Sequence, residues 1–155
     1  ITYNAAISAC EKGGQWQKSL ELLSKIVREN ITRDTITYNA AISACEKGGQ
    51  WQKSLELLSK IVRENITRDT ITYNAAISAC EKGGQWQKAL ELLSQMEREN
   101  ITPDTITYNA AISACEKGGQ WQKALELLSQ IVRENITPDI ITSNAAISAC
   151  EKGGQ

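Results

Sequence analysis

One 35-residue phrase is repeated through the whole chain. The residues ITYNAAISACEKGGQWQKSLELLSKIVRENITRDT open at Ile1 and return, with few changes, at Ile36, Ile71 and Ile106, and a half-copy runs from Ile141 to Gln155. A fixed period between roughly 20 and 50 residues marks supersecondary units that cannot bury their apolar faces alone and must stack on one another. The chain therefore reads as a single repeat array over 1–155, with repeats 1–35, 36–70, 71–105 and 106–140 and a half-repeat 141–155. Such a stack is held by local interfaces between neighbours, without one central core.

Inside each repeat the apolar period is helical twice over. Tyr3, Ala6, Ile7 and Cys10 fall at i, i+3, i+4 and i+7, which is one stripe of a first helix. Gly13-Gly14 breaks it. Beyond the break, Trp16, Leu20, Leu23 and Val27 form one row and Ser19, Leu22 and Ile26 an adjacent one, a broad face for a second helix buried between neighbours. Asn30 suits a left-handed residue just past that helix, and Asp34 suits an N-cap for the next one. Ala5 and Ala9 lack bulk and let adjacent hairpins approach. The expected fold is all-α: a right-handed α-solenoid of stacked helical hairpins with about nine helices, two per full repeat and one in the half-repeat.

Composition removes several functions. With 17 Lys/Arg against 18 Asp/Glu the net charge is −1, so any surface for a polyanion has to be a local stripe. Charge is uneven: the first two repeats each hold five basic and four acidic residues, the third three and five, the fourth three and four. There is no His, and the cysteines occur once per repeat, at Cys10, Cys45, Cys80, Cys115 and Cys150, so zinc-type clustering is missing and no metal or cofactor is expected. Each Cys reads as a small buried hydrophobe, and reduced thiols suit an intracellular setting. Without His, a carboxylate pair across a cleft or a phosphate-cradling glycine loop, the chain is not expected to be an enzyme. No targeting segment or run of about 18 apolar residues suggests a membrane. The opening on Ile1 without Met reads as a piece of a longer protein. The Asn-Ile-Thr copies at Asn30, Asn65, Asn100 and Asn135 match a glycosylation acceptor, but a helix cap explains them more simply.

Once the packing residues are subtracted, Asn4, Ser8 and Lys12 remain as a polar line at i, i+4 and i+8 on the first helix. Stacking would align these lines into a ladder. An ordinary wet face accounts for Ser8. The amide of Asn4 is kept in five of five copies and reads as a donor and acceptor pair offered at regular spacing, although recent duplication explains the identity equally well.

The 35-residue helical hairpin, the opening Ile-Thr-Tyr-Asn, the Gly-Gly break, the Ala-Leu-Glu-Leu-Leu of the second helix and the closing Asn-Ile-Thr-Pro-Asp together resemble the pentatricopeptide repeat over the whole chain. The stretch Ala89 to Met96 with Pro103-Asp104 is the closest copy. The related tetratricopeptide repeat has a period of about 34 and a W-x-x-L-G-x-x-Y opening that is missing here. The resemblance implies that first helices line a concave face and bind single-stranded RNA at about one base per repeat. It assigns base reading to Asn4, Asn39, Asn74, Asn109 and Asn144, paired with Asp34, Asp69, Asp104 and Asp139, a combination that implies uridine-rich RNA. It places Ile1, Ile36, Ile71, Ile106 and Ile141 around each base, and Lys12, Lys47, Lys82, Lys117 and Lys152 against phosphates. On the residues alone, the Asp also serves as a cap, the Ile as packing and the Lys as a helix-end cation.

The family resemblance also implies a role in RNA processing, stability or translation in a mitochondrion or plastid. Arg33 and Arg68 stand where the later repeats carry Pro, which predicts a looser turn, and Ser143 replaces Tyr in the half-copy. A second reading, from the near-neutral charge and broad apolar helices, is a helical scaffold that docks protein partners or neighbouring repeats at uncapped ends, within a large ribonucleoprotein assembly.

Overall fold

A computed structural model describes residues 3–29 and 34–134, together with 147 and 151. The described residues form eight helices: α1 Tyr3–Lys12, α2 Trp16–Arg28, α3 Thr35–Lys47, α4 Trp51–Arg63, α5 Thr70–Lys82, α6 Trp86–Arg98, α7 Thr105–Lys117 and α8 Trp121–Arg133. The expected ninth helix, in the half-repeat, lies outside the described residues.

The boundaries follow from cap chemistry. Asp34, Asp69 and Asp104 sit in extended backbone and accept the N–H of Thr37, Thr72 and Thr107, so a carboxylate opens each first helix after α1. The glycine pair closes it. Gly49 takes φ +72°, and the amides of Gly49 and Gln50 return to the carbonyls of Glu46 and Cys45, the double bond of a Schellman cap. At the end of the second helix Asn65 (φ 54°) and Asn100 (φ 60°) do the same, and Ile66 and Ile101 then fold back onto the core. The Asn-Ile-Thr tripeptide thus has a structural purpose at both visible copies.

Odd-numbered helices pack on one another in an unbroken layer, α1 on α3, α3 on α5 and α5 on α7, while each even-numbered helix packs on its own partner and on the next odd one. Even helices leave grooves between themselves; one of about 390 Å³ separates Leu55, Leu58 and Val62 on α4 from Leu92 and Gln95 on α6. Tight spacing in one layer and loose spacing in the other curve the stack, with the odd helices on the inside.

The buried set repeats with the sequence. Tyr38, Ala41, Ile42 and Cys45, and their counterparts in the next two repeats, are fully enclosed, as are Ile61, Met96 and Ile131 on the second helices. Each large apolar side chain enclosed in this way contributes roughly 1.5 to 3 kcal/mol before entropy is set against it. The thiols of Cys45, Cys80 and Cys115 are pushed up to about 11, because burial disfavours the thiolate. They are packing groups.

One part of the expected face is not buried. Val62 and Val132 are 39% and 63% exposed, and the same position in the third repeat is an exposed Glu97. A row at i, i+4, i+7, i+11 drifts around a 3.6-residue helix, and its last member has turned to solvent. The seal is made instead by positions such as Ser54, Leu57, Leu58 and Ile61.

A contact between repeats was not visible in the pattern: the Trp that starts each second helix lies over the first glycine of the next repeat's pair. A Cβ built on Gly83 would stand 2.3 Å from Cδ1 and 2.7 Å from Cγ of Trp51, and Gly48 and Gly118 meet Trp16 and Trp86 in the same way. Gly83→Ala is therefore expected to lower stability by about 1–3 kcal/mol through overpacking. Gly84→Ala meets open space and is expected to cost about 1–2 kcal/mol through its left-handed φ alone. Urea denaturation checks both, and only the first should move the tryptophan fluorescence of the folded state.

Candidate nucleic-acid interface

The inner layer carries a groove of about 500 Å³ running across α1, α3, α5 and α7. Along its walls stand Asn39 and Asn74, Asp69, Ser8, Ser43 and Ser78, and the side chains of Ile36, Ile71 and Ile106. The last three are 62%, 65% and 62% exposed, although each lies one residue from a buried Thr. They are aliphatic walls left uncovered by the fold, and packing does not account for them.

Each amide meets the carboxylate of its own repeat's closing residue, brought close because that residue caps the next first helix. Asn39 Nδ2 donates to Asp69 Oδ1 at 3.2 Å, and Asn74 Nδ2 donates to Asp104 Oδ1 at 3.0 Å. The carbonyl side is held as well: Thr72 Oγ1 is 2.5 Å from Asn39 Oδ1, and Thr107 Oγ1 donates to Asn74 Oδ1. Burial works against the ionised form of Asp69 and Asp104, but hydrogen bonds from the Thr backbone N–H and the Asn amide outweigh it and hold both carboxyls below the usual range. They are acceptors only at neutral pH, which requires the amide nitrogen to face them. With one N–H and one carbonyl lone pair engaged, each of these amides keeps one N–H and one lone pair for a ligand.

The lysines stand at the groove's edge and are already engaged. Lys47 Nζ lies 2.8 Å from Glu11 Oε2, and Lys82 and Lys117 pair with Glu46 and Glu81 in the same manner, each to the repeat before. Lys12 closes α1 in an exposed position. The carboxylates of this ladder were missed in the sequence, where nothing ties Glu11 to a lysine 36 residues further on. Asp34 caps α3 through Thr37, at 3.0 Å to its N–H and 2.9 Å to its hydroxyl, and Asn109 is half-buried on α7. Ile1, Asp139, Ile141, Asn144 and Lys152, and the side chain of Asn4, lie outside the described residues.

Arg68 ties its turn to the next repeat. Its Nε lies 2.7 Å from Glu99 Oε1 in the next repeat, and Tyr73 Oη donates to the same oxygen at 2.7 Å. Burial raises the Glu99 pKa, but the bonds from Arg68, Tyr73 and Gln95 overcome it and bring the group down to about 2. A depressed folded pKa contributes stability that is complete above the ordinary value near 4.5 and is lost as pH falls from there towards about 2. Urea midpoints measured between pH 5 and pH 2 are expected to fall across that window, and Glu99→Gln is expected to flatten its share of the fall. Arg33 lies outside the described residues.

Comparison with known proteins decides the family. The profile of the PPR repeat family matches residues 33–82, 68–117 and 103–152, and a single PPR repeat profile matches 1–31. The chain belongs to the PPR repeat family. No curated protein sequence matches this PPR array. Among solved structures it is similar to the PPR domain of Arabidopsis thaliana protein-only RNase P 1 in complex with tRNA, with a TM-score of 0.85 at 16% identity over 99% of this chain and 86% of that one. It is also similar to the maize pentatricopeptide repeat protein PPR10 in complex with an 18-nt psaJ RNA element, with a TM-score of 0.81 at 23% identity over 97% of this chain and 22% of that one. Nuclear proteinaceous RNase P 2 of A. thaliana gives a TM-score of 0.84 at 12% identity, over 98% of this chain and 34% of that one. At these identities the likeness is one of fold, and the array spans under a quarter of PPR10. No helix among the described residues is long and apolar enough to cross a membrane.

Proposed function

We propose that this PPR array binds single-stranded RNA along the inner layer, at about one base per repeat, with a preference for uridine. The observation that carries the reading is the groove in which Asn–Asp pairs recur between exposed isoleucines. A flat base fits between Ile36 and Ile71, and again between Ile71 and Ile106, and covers apolar surface that water otherwise wets. The free N–H of each amide meets a pyrimidine carbonyl, its free lone pair meets the N3–H of uracil, and the ionised Asp keeps the amide from turning over. Lys47, Lys82 and Lys117 face phosphates after exchanging their glutamates, and the family resemblance gives Lys12 and Lys152 the same task. The RNA complexes of two fold relatives support a polynucleotide as the ligand class.

The biological role that fits is protection, processing or translation of a uridine-rich transcript in a mitochondrion or plastid. Titrating oligo(U), oligo(A), oligo(C) and oligo(G) at low salt tests the binding claim. Oligo(U) is expected to bind most tightly; equal affinity for all four, or none, rejects it. Protein docking is the alternative outcome, and light scattering that finds concentration-dependent assembly without RNA would favour it.

A further inference from the structure

Thr72 and Thr107 are fully enclosed, yet each carries a hydroxyl aimed at the amide of the preceding repeat. Consider the protons around Thr72. Its Oγ1 accepts the N–H of Asp69 at 3.2 Å, and its single proton has two acceptors in range, Asn39 Oδ1 at 2.5 Å and Asp69 Oδ1 at 3.0 Å. Asp69 Oδ1 already accepts from Thr72 N–H at 3.0 Å and from Asn39 Nδ2 at 3.2 Å. Asn39 Oδ1 is the nearer acceptor and has no other donor, so the proton belongs there. The same bonds recur at Thr107, Asp104 and Asn74.

The terminal torsion of Asn is broad, so one hydrogen bond leaves the amide free to swing. Two bonds, amide nitrogen to the Asp carboxylate and Thr hydroxyl to the amide oxygen, define a plane. We propose that Thr72 and Thr107 are positioning residues for base selectivity, each fixing the plane of the Asn one repeat earlier so that its free N–H and lone pair are presented in one fixed order. Uracil offers a donor at N3 and cytosine an acceptor there, and only an amide of fixed order separates them. The selectivity of a repeat then depends on three residues spanning a repeat boundary, Asn39, Asp69 and Thr72. This rests on the uridine reading proposed above.

The test compares wild type with the double variant T72V/T107V and with T72S/T107S, in the full chain. Two readouts are taken: the ratio of affinities for oligo(U) and oligo(C), and the side-chain amide signals of Asn39 and Asn74 by NMR without RNA. Val keeps the shape and removes the hydroxyl; Ser keeps the hydroxyl. The expected result is that Val lowers the U-to-C ratio about five-fold or more and speeds hydrogen exchange at both amides, while Ser restores both. The bond from the Asp N–H to the Thr hydroxyl is lost in the Val variant and lowers stability, but it does not alter a ratio measured on folded protein. If wild type prefers U and the folded Val variant keeps that preference, the role of Thr is overturned while the uridine reading stands. If wild type shows no preference for U, the uridine reading falls and the selectivity role with it, whatever the amide signals do.

Discussion

Changing Asn39 and Asn74 together to Ser is expected to weaken oligo(U) binding about thirty-fold at low salt, taking about 1 kcal/mol for each lost base contact. The fold should survive, because both amides lie in the groove wall and each leaves its Asp still capped by Thr72 or Thr107. Affinity for oligo(A) should change much less, since purine binding in the groove would rest on the isoleucine walls and the lysines. Lys47→Ala gives the opposite profile, weakening all four homopolymers alike and leaving their ranking unchanged. Fluorescence anisotropy with the four oligomers separates the two. A uniform loss in the Asn variant would mean that the amides do not read bases.

The ion-pair ladder leads to a gain of binding. Glu46 and Glu81 hold Lys82 and Lys117 at the groove edge, so each phosphate must displace a carboxylate before it meets a lysine. Glu46→Gln with Glu81→Gln frees both lysines and removes two negative charges from beside the phosphates. At about 4 Å in water each such charge is worth about 1 kcal/mol, so affinity should rise about ten- to thirty-fold at low salt and less at 0.15 M. The same two lysines meet phosphates in the wild-type complex, so the slope of log K on log salt should change little while the affinity rises. The preference for U should not change, since neither Glu touches an Asn. A Glu variant with unaltered affinity would place the phosphates elsewhere.

Apart from the second-helix row that ends at Val62 and its copies, period, helix faces and caps were legible in the chain, because each depends on residues within one repeat. Tyr38, Ile42 and Cys45 are buried where the first-helix stripe predicts, and Asn65 and Asn100 take the left-handed conformation their position suggests. What was not legible involves residues in different repeats. The clamp of Trp16 on Gly48, the bond of Thr72 to Asn39 and the pair of Lys47 with Glu11 span 32, 33 and 36 residues. None equals the 35-residue period, because each depends on how far one hairpin is shifted and rotated against the next, a quantity that packing sets. Arg68 shows the same thing: a residue that breaks the local turn pattern finds its purpose 31 residues away, at Glu99.

In the proposed complex, bases enter between the exposed isoleucines of the inner layer. Methyl NMR of an isoleucine-labelled chain during titration with a short oligouridine tests it most directly. The δ1 methyls of Ile36, Ile71 and Ile106 should move upfield together under the ring currents of stacked bases, while the enclosed Ile42, Ile77 and Ile112 stay nearly still. Shifts confined to the outer helices, at Ile61 and Ile131, or saturation of binding with Ile36, Ile71 and Ile106 unmoved, would contradict it.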